Sequence, residues 1–179
     1  MKINIFFDLD ETLIHTVPGS KLRDTQVQTF VEPDGCQYWT FPRYQAPPVV
    51  DYARETFGAE NVYILTIGTY DYACAVNDAM NLGFEHDHIW ARGDLEHSAS
   101  IGYMCDKSLS VQHHRNILID NREHDHNMIK VNFLRMNHRD YFECVDFQLD
   151  MLALPLNQDR DVFEEEVGYF LRELASEAS

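Results

Sequence analysis

Ile3-Asn4-Ile5-Phe6-Phe7-Asp8-Leu9-Asp10-Glu11-Thr12 is the stretch on which the reading of this chain turns. Ile3 to Phe7 is an apolar run broken only by Asn4, too short for a helix and suited to a buried strand. Val62 to Leu65 and Ile117 to Ile119 are two further runs of that kind. Each stops at a polar residue, respectively Asp8, Thr66 and Asp120, and a helical pattern separates each run from the next. That rhythm is βαβ, and it predicts an α/β fold with a mostly parallel sheet covered by helices on both faces. Ligands of such sheets gather at the carboxyl ends of the strands, so Asp8, Thr66 and Asp120 are expected around one crevice.

The helices between the strands have readable ends. Pro47 and Pro48 suit a first turn, Val49, Val50, Ala53 and Phe57 form one stripe, and Gly58 stops it. Thr69 can cap a second helix that shows Ala73, Val76 and Met80 and stops at Gly83. A last helix, roughly Asp161 to Ala175, spaces Phe163, Val167, Phe170, Leu171 and Leu174 for packing on the sheet. Between Asp10 and the first helix, Gln26 to Phe30 and Cys36 to Phe41 flank the turn Pro33-Asp34-Gly35, a hairpin signal read as an insertion. Ile89-Trp90 is a candidate short strand, and 93–102 has loop composition.

At 179 residues the chain suits a single domain spanning 1–179, with the small hairpin insertion at about 24–44. Thirty acidic residues against fourteen basic ones give a net charge of −16, which disfavours nucleic acid as a partner. The acidic C-terminal set, Asp159, Asp161, Glu164, Glu165, Glu166, Glu173 and Glu177, reads as a solvated helix face. No stretch has the length and apolarity of a membrane span, and Met1-Lys2-Ile3 leads straight into a strand pattern. A soluble cytoplasmic protein that does not engage a membrane is therefore expected. Cys36, Cys74, Cys105 and Cys144 form no Cys-x-x-Cys pair and read as reduced thiols.

Asp8-Leu9-Asp10-Glu11-Thr12-Leu13 resembles the first signature of the haloacid dehalogenase superfamily. Glu11 and the extension Ile14-His15-Thr16 are similar to the branch that contains the RNA polymerase carboxy-terminal-domain phosphatases and their small, NLI-interacting-factor-like relatives. Ile64-Leu65-Thr66 resembles the second signature, Lys107-Ser108-Leu109-Ser110 the third, and Ile117-Leu118-Ile119-Asp120-Asn121 the fourth. The resemblance implies a Rossmann-like fold, either capless or with only the minimal hairpin insertion. It also implies a Mg²⁺-dependent phosphomonoester hydrolase that works through an aspartyl-phosphate.

Each residue so marked has chemistry that suits its implied role. Asp8 is the expected nucleophile, because an ionised carboxylate can attack phosphorus and divide hydrolysis into two easier steps. Asp10 is the expected general acid and then base, and side chains two apart on an extended segment share a side. Thr66 and Lys107 are the expected phosphate-binding groups, one offering a hydroxyl and the other a compact positive charge. Asp8, Asp10, Asp120 and Asn121 are the expected oxygen ligands of Mg²⁺, with Asp10 contributing its backbone carbonyl. The chain departs from the branch in two places: 107–120 is short, and Arg122-Glu123-His124-Asp125-His126 stands where Ser-Pro is common, so Asp125 is a candidate extra acid near the metal.

His86-Asp87-His88 and His124-Asp125-His126 lack a third ligand at clear spacing and read as surface residues, as does His113-His114 in a short exposed helix. Neither interval between signatures holds a separate cap domain, so the site is expected to be open. A phosphoserine or phosphothreonine protein segment is then the first substrate class implied. A nucleic-acid end and a small phosphorylated metabolite are the alternatives, and a non-catalytic binding module on the same fold is a third. Arg43, Arg54, Arg92, Arg115, Arg122 and Lys130 are the residues that could gather at the mouth and reverse the charge argument.

Overall fold

The computed structural model describes residues 2–91, 114–121, 143–149 and 158–178. Strands β1 (Ile3–Phe7), β5 (Val62–Leu65), β6 (Ile89–Trp90), β7 (Arg115–Asp120) and β8 (Glu143–Asp146) form one sheet in the order β6-β5-β1-β7-β8. All four pairings are parallel. The strand that carries Asp8 therefore lies at the centre, between the strands that end at Thr66 and Asp120.

Register distributes the side chains. Ile5 lies beside Val62 and Ile117, and Phe7 beside Ile64 and Ile119, so one face is a row of apolar groups. These residues join Val49, Val50 and Ala53 of α1 (Ala46–Phe57) and Leu171 and Leu174 of α3 (Tyr169–Ala178) in one core. Helix α2 (Tyr70–Met80) adds Ala73 and Val76 to the same core. The opposite face carries Phe6 stacked on Tyr63 at 4.8 Å and met edge-on by Trp90 at 5.2 Å, with Leu118 fully buried alongside. Burial on both faces is why these strands read as near-continuous apolar runs.

The ends of the helices follow local chemistry. Pro47 and Pro48 occupy the start of α1, and Gly58 ends it at a φ of 91°. Thr69 caps α2 by accepting from the Tyr72 N–H. That helix stops at Asn81, in the left-handed conformation that asparagine tolerates, two residues before the expected Gly83. A wide π turn (Glu164–Gly168) leads into α3.

The expected hairpin forms, β3 (Val27–Val31) pairing antiparallel with β4 (Gln37–Pro42), and β2 (Ile14–Pro18) joins it to make a three-stranded sheet in the order β2-β4-β3. Its first strand adjoins the signature and is mostly half-buried, so it lacks the apolar run that marks a core strand. Two other expectations need correction. Asp161 is not part of a solvated face: it is buried in an ion pair with Arg43, whereas Glu164, Glu165, Glu166, Glu173 and Glu177 are exposed. His114 is not on an exposed helix but bonds Asn4 just before β7 begins. Among the described residues no helix is long and apolar enough to cross a membrane.

Candidate active site

Asp8 emerges where β1 runs out of sheet. Its backbone N–H still donates to the Ile119 carbonyl of β7 at 2.9 Å, which places it beside Asp120 at the end of the neighbouring strand. The chain then turns tightly: the Leu13 and Ile14 N–H groups both donate to the Leu9 carbonyl, at 2.9 and 3.2 Å. Glu11 holds φ at 66°, a conformation disfavoured for a residue with a Cβ. The turn brings the Thr12 hydroxyl back to donate to Asp8 Oδ2 at 3.2 Å, which fixes the carboxylate's orientation.

Two further contacts hold this loop. Glu11 Oε1 meets His15 Nδ1 at 2.6 Å, and the imidazole stacks on Phe41. Arg43 Nη1 donates to the Thr12 carbonyl at 2.7 Å, while its Nε lies 3.2 Å from Asp161 Oδ2 and its guanidinium sits over the Phe163 ring. Burial pulls the Arg43 pKa down and pushes the Asp161 carboxyl up, each against the pull of its partner's charge. This buried pair ties the segment entering α3 to the signature loop.

Asp8, Asp10 and Thr66 line one cleft of about 440 Å³, together with Glu11, Thr16, Glu32, Tyr38, Tyr72 and 67–69. Thr66 is anchored by its N–H on the Trp90 carbonyl at 2.9 Å, and its Oγ1 accepts from the Gly68 N–H at 3.1 Å. With the oxygen oriented by that donor, the hydroxyl proton can be given to an incoming oxyanion. The Asp10 carboxylate accepts from the Tyr72 hydroxyl at 2.6 Å. Burial, followed by the charge of Asp10, raises the Tyr72 pKa far above that of an ordinary phenol, so this hydroxyl keeps its proton.

Asp120 and Asn121 stand at the end of β7 next to Asp8, outside the residues that line the cleft itself. Asp8 is 8% exposed and Asp120 0%. Among the described residues the buried Asn121 Oδ1 accepts no hydrogen bond. Buried carboxylates and an amide oxygen, all from adjoining strand ends, fit a hard cation such as Mg²⁺. Among the described residues there is no group of three or more His, Cys, Asp or Glu side chains placed to hold a metal, so amide and carbonyl oxygens would have to complete such a set.

Lys107, Asp125 and His124/His126 lie outside the described residues. His86 instead contacts the carboxylate of Asp78, and His88 bonds the Val62 carbonyl and packs on Tyr63, as surface and edge residues do. Of the basic residues that could gather at the mouth, Arg43, Arg54 and Arg115 are engaged with Asp161, Asp51 and Glu143. Among the described residues no lysine or arginine lines the cleft. Sequence reading missed Tyr72, Thr16 and Glu32. Tyr72 carried one signal, its place in the first turn after the Thr69 cap, six residues beyond Thr66.

Two solved structures are similar to this chain at the level of overall shape. One is Fcp1, described as an essential RNA polymerase II CTD phosphatase, at 18% identity and a TM-score of 0.47. The other is the fission yeast Fcp1 in a variant bound to beryllium fluoride, at 19% identity and a TM-score of 0.47. Each comparison covers 98% of this chain, which spans about half of the solved ones, 50% and 52% respectively. No curated protein sequence matches it significantly. The profile of the NLI interacting factor-like phosphatases matches residues 3–158, and the chain belongs to that family.

Proposed function

We propose that this chain is a Mg²⁺-dependent phosphomonoester hydrolase that acts through a phosphorylated Asp8, with a phosphoserine or phosphothreonine protein segment as its substrate class. The observation that carries the reading is the convergence of Asp8, Asp10 and Thr66 in one cleft at adjacent strand ends. Asp8 Oδ1 attacks phosphorus while Thr12 holds Oδ2, and the bond to the leaving oxygen breaks as Asp10 gives that oxygen a proton. Water then attacks the acyl phosphate, losing its proton to Asp10 and releasing inorganic phosphate and the free Asp8 carboxylate.

Thr66 donates to a phosphate oxygen throughout, and Lys107 is assigned the balancing positive charge. Asp8, Asp120, Asn121 and the Asp10 carbonyl would hold Mg²⁺, which when bound offsets the negative charge shared by phosphate and carboxylates. Two further carboxylates, Glu11 and Glu32, line the cleft. Together with the net charge of −16 they favour a protein segment over the polyanionic end of a nucleic acid.

The test is hydrolysis of 4-nitrophenyl phosphate with Mg²⁺ and with chelator, comparing the native protein with Asp8→Asn. Metal-dependent turnover that vanishes in Asp8→Asn is expected. Turnover retained by that variant would overturn the nucleophile assignment. Competition between a phosphoserine peptide and a 5′-phosphorylated oligonucleotide over a range of salt then decides the substrate class, since phosphate-backbone contacts weaken steeply with salt.

A further inference from the structure

We infer that Tyr72, braced by the three-stranded sheet, is the residue that positions Asp10 for proton transfer. The Tyr72 hydroxyl donates to Asp10 Oδ1 at 2.6 Å. Thr16 Oγ1 lies 2.8 Å from Thr40 Oγ1, which lies 2.7 Å from Thr29 Oγ1. Three threonine hydroxyls thus run in series from β3 through β4 to β2, in the sheet that walls the cleft. A phenol donating from a largely buried position makes a stronger hydrogen bond to Asp10 than a tyrosine in water would.

The surrounding fold builds this arrangement. β3 pairs Gln28 with Trp39 and Phe30 with Tyr38, which leaves Thr29 as the extra residue of a bulge. Bulges re-aim side chains, and here Thr29 reaches Thr40, whose neighbour across β2 is Thr16. Phe30 and Tyr38 of the same sheet pack against the Tyr72 ring at 5.7 and 5.6 Å. From the other side the ring lies across Gly68, where an added Cβ would come within 3.0 Å of Tyr72 Cδ1. Tyr72 is 8% exposed, while Asp10 stays half-buried on the cleft where a substrate can reach it.

A carboxylate that must give a proton in one step and take one in the next needs one fixed oxygen and one presented to the reacting group. With Oδ1 held by Tyr72, Oδ2 is the oxygen presented. The insertion is then part of the catalytic apparatus as well as a wall of the cleft. Tyr72 is a positioning residue, since it acts through Asp10.

This inference rests on the proposed hydrolase. The experiment measures kcat and KM for 4-nitrophenyl phosphate and for a phosphoserine peptide in native protein, Asp8→Asn and Tyr72→Phe. Loss of a hydrogen bond to a charged group corresponds to about a ten- to hundredfold fall in kcat for Tyr72→Phe, with KM unchanged.

A Tyr72→Phe enzyme with native kcat overturns the inference while the loss in Asp8→Asn still stands for the hydrolase. If native protein shows no turnover, the hydrolase reading falls and the positioning claim is decided by crystal structures. Asp10 displaced in Tyr72→Phe supports it, and an Asp10 carboxylate unmoved overturns it.

Discussion

Asp161→Asn isolates the contribution of the buried ion pair beneath the signature loop. The substitution keeps the shape of the side chain and the oxygen that accepts from the Phe163 N–H at 3.2 Å, and removes only the charge facing Arg43. The Arg43 side chain is 0% exposed and that of Asp161 2%, so the guanidinium cannot turn to water. An uncompensated buried charge of this kind costs about 3–5 kcal/mol. In a chain of this length each kcal/mol moves Tm by about 2–4 °C, so the variant should melt roughly 6–20 °C lower. Urea unfolding is the assay, and the midpoint should fall with the slope unchanged. A loss under about 1 kcal/mol, the range of exposed pairs, would refute the reasoning. The companion Arg43→Met/Asp161→Leu should recover most of that stability by replacing both charges with apolar groups. It should not recover turnover, because the Thr12 carbonyl loses its 2.7 Å donor.

Other outcomes follow from single side chains. Asn77 accepts from the Phe84 N–H at 2.9 Å and donates to the Phe84 carbonyl at 3.0 Å, both buried, so Asn77→Ala should lose about 2–4 kcal/mol in urea unfolding. Mg²⁺ at a hundred times its dissociation constant should stabilise the native protein by about 2.7 kcal/mol in a thermal shift. Asn121→Ala should reduce that gain, and an equal gain in both would remove Asn121 from the ligand set. The Asp78 carboxyl is held below its ordinary pKa chiefly by its hydrogen bond to His86. Its contribution to stability is thus present above the unfolded-state value and lost as pH falls through the lower folded-state one. An NMR titration should find Asp78 returning toward an ordinary aspartate in His86→Ala.

Local chemistry made much of this fold legible. β1 and β5 match their apolar runs residue for residue, and α1 runs from the Pro47-Pro48 start to the Gly58 stop. Such elements are announced because burial on both sheet faces demands continuous apolar runs and because proline, threonine and glycine act at the helix ends. The same logic put Asp8, Thr66 and Asp120 at strand ends, and the parallel order β5-β1-β7 made those ends neighbours.

What sequence could not determine depends on partners far apart in the chain. Asp161 looked like one more solvated acid until the segment before α3 packed against Arg43, 118 residues earlier, and no local pattern encodes that meeting. β2 escaped notice because its half-buried residues acquire a strand's character only by pairing with β4. Tyr72 read as an unremarkable helix residue, yet its hydroxyl reaches Asp10 across 62 positions. The chemistry of the motif was written in the identities of Asp8, Asp10 and Thr66. Thr12 and Gly68 orient Asp8 and Thr66 from within their own loops, whereas the Tyr72 donor that holds Asp10 is placed by the packing of a separate element and belongs to the tertiary structure.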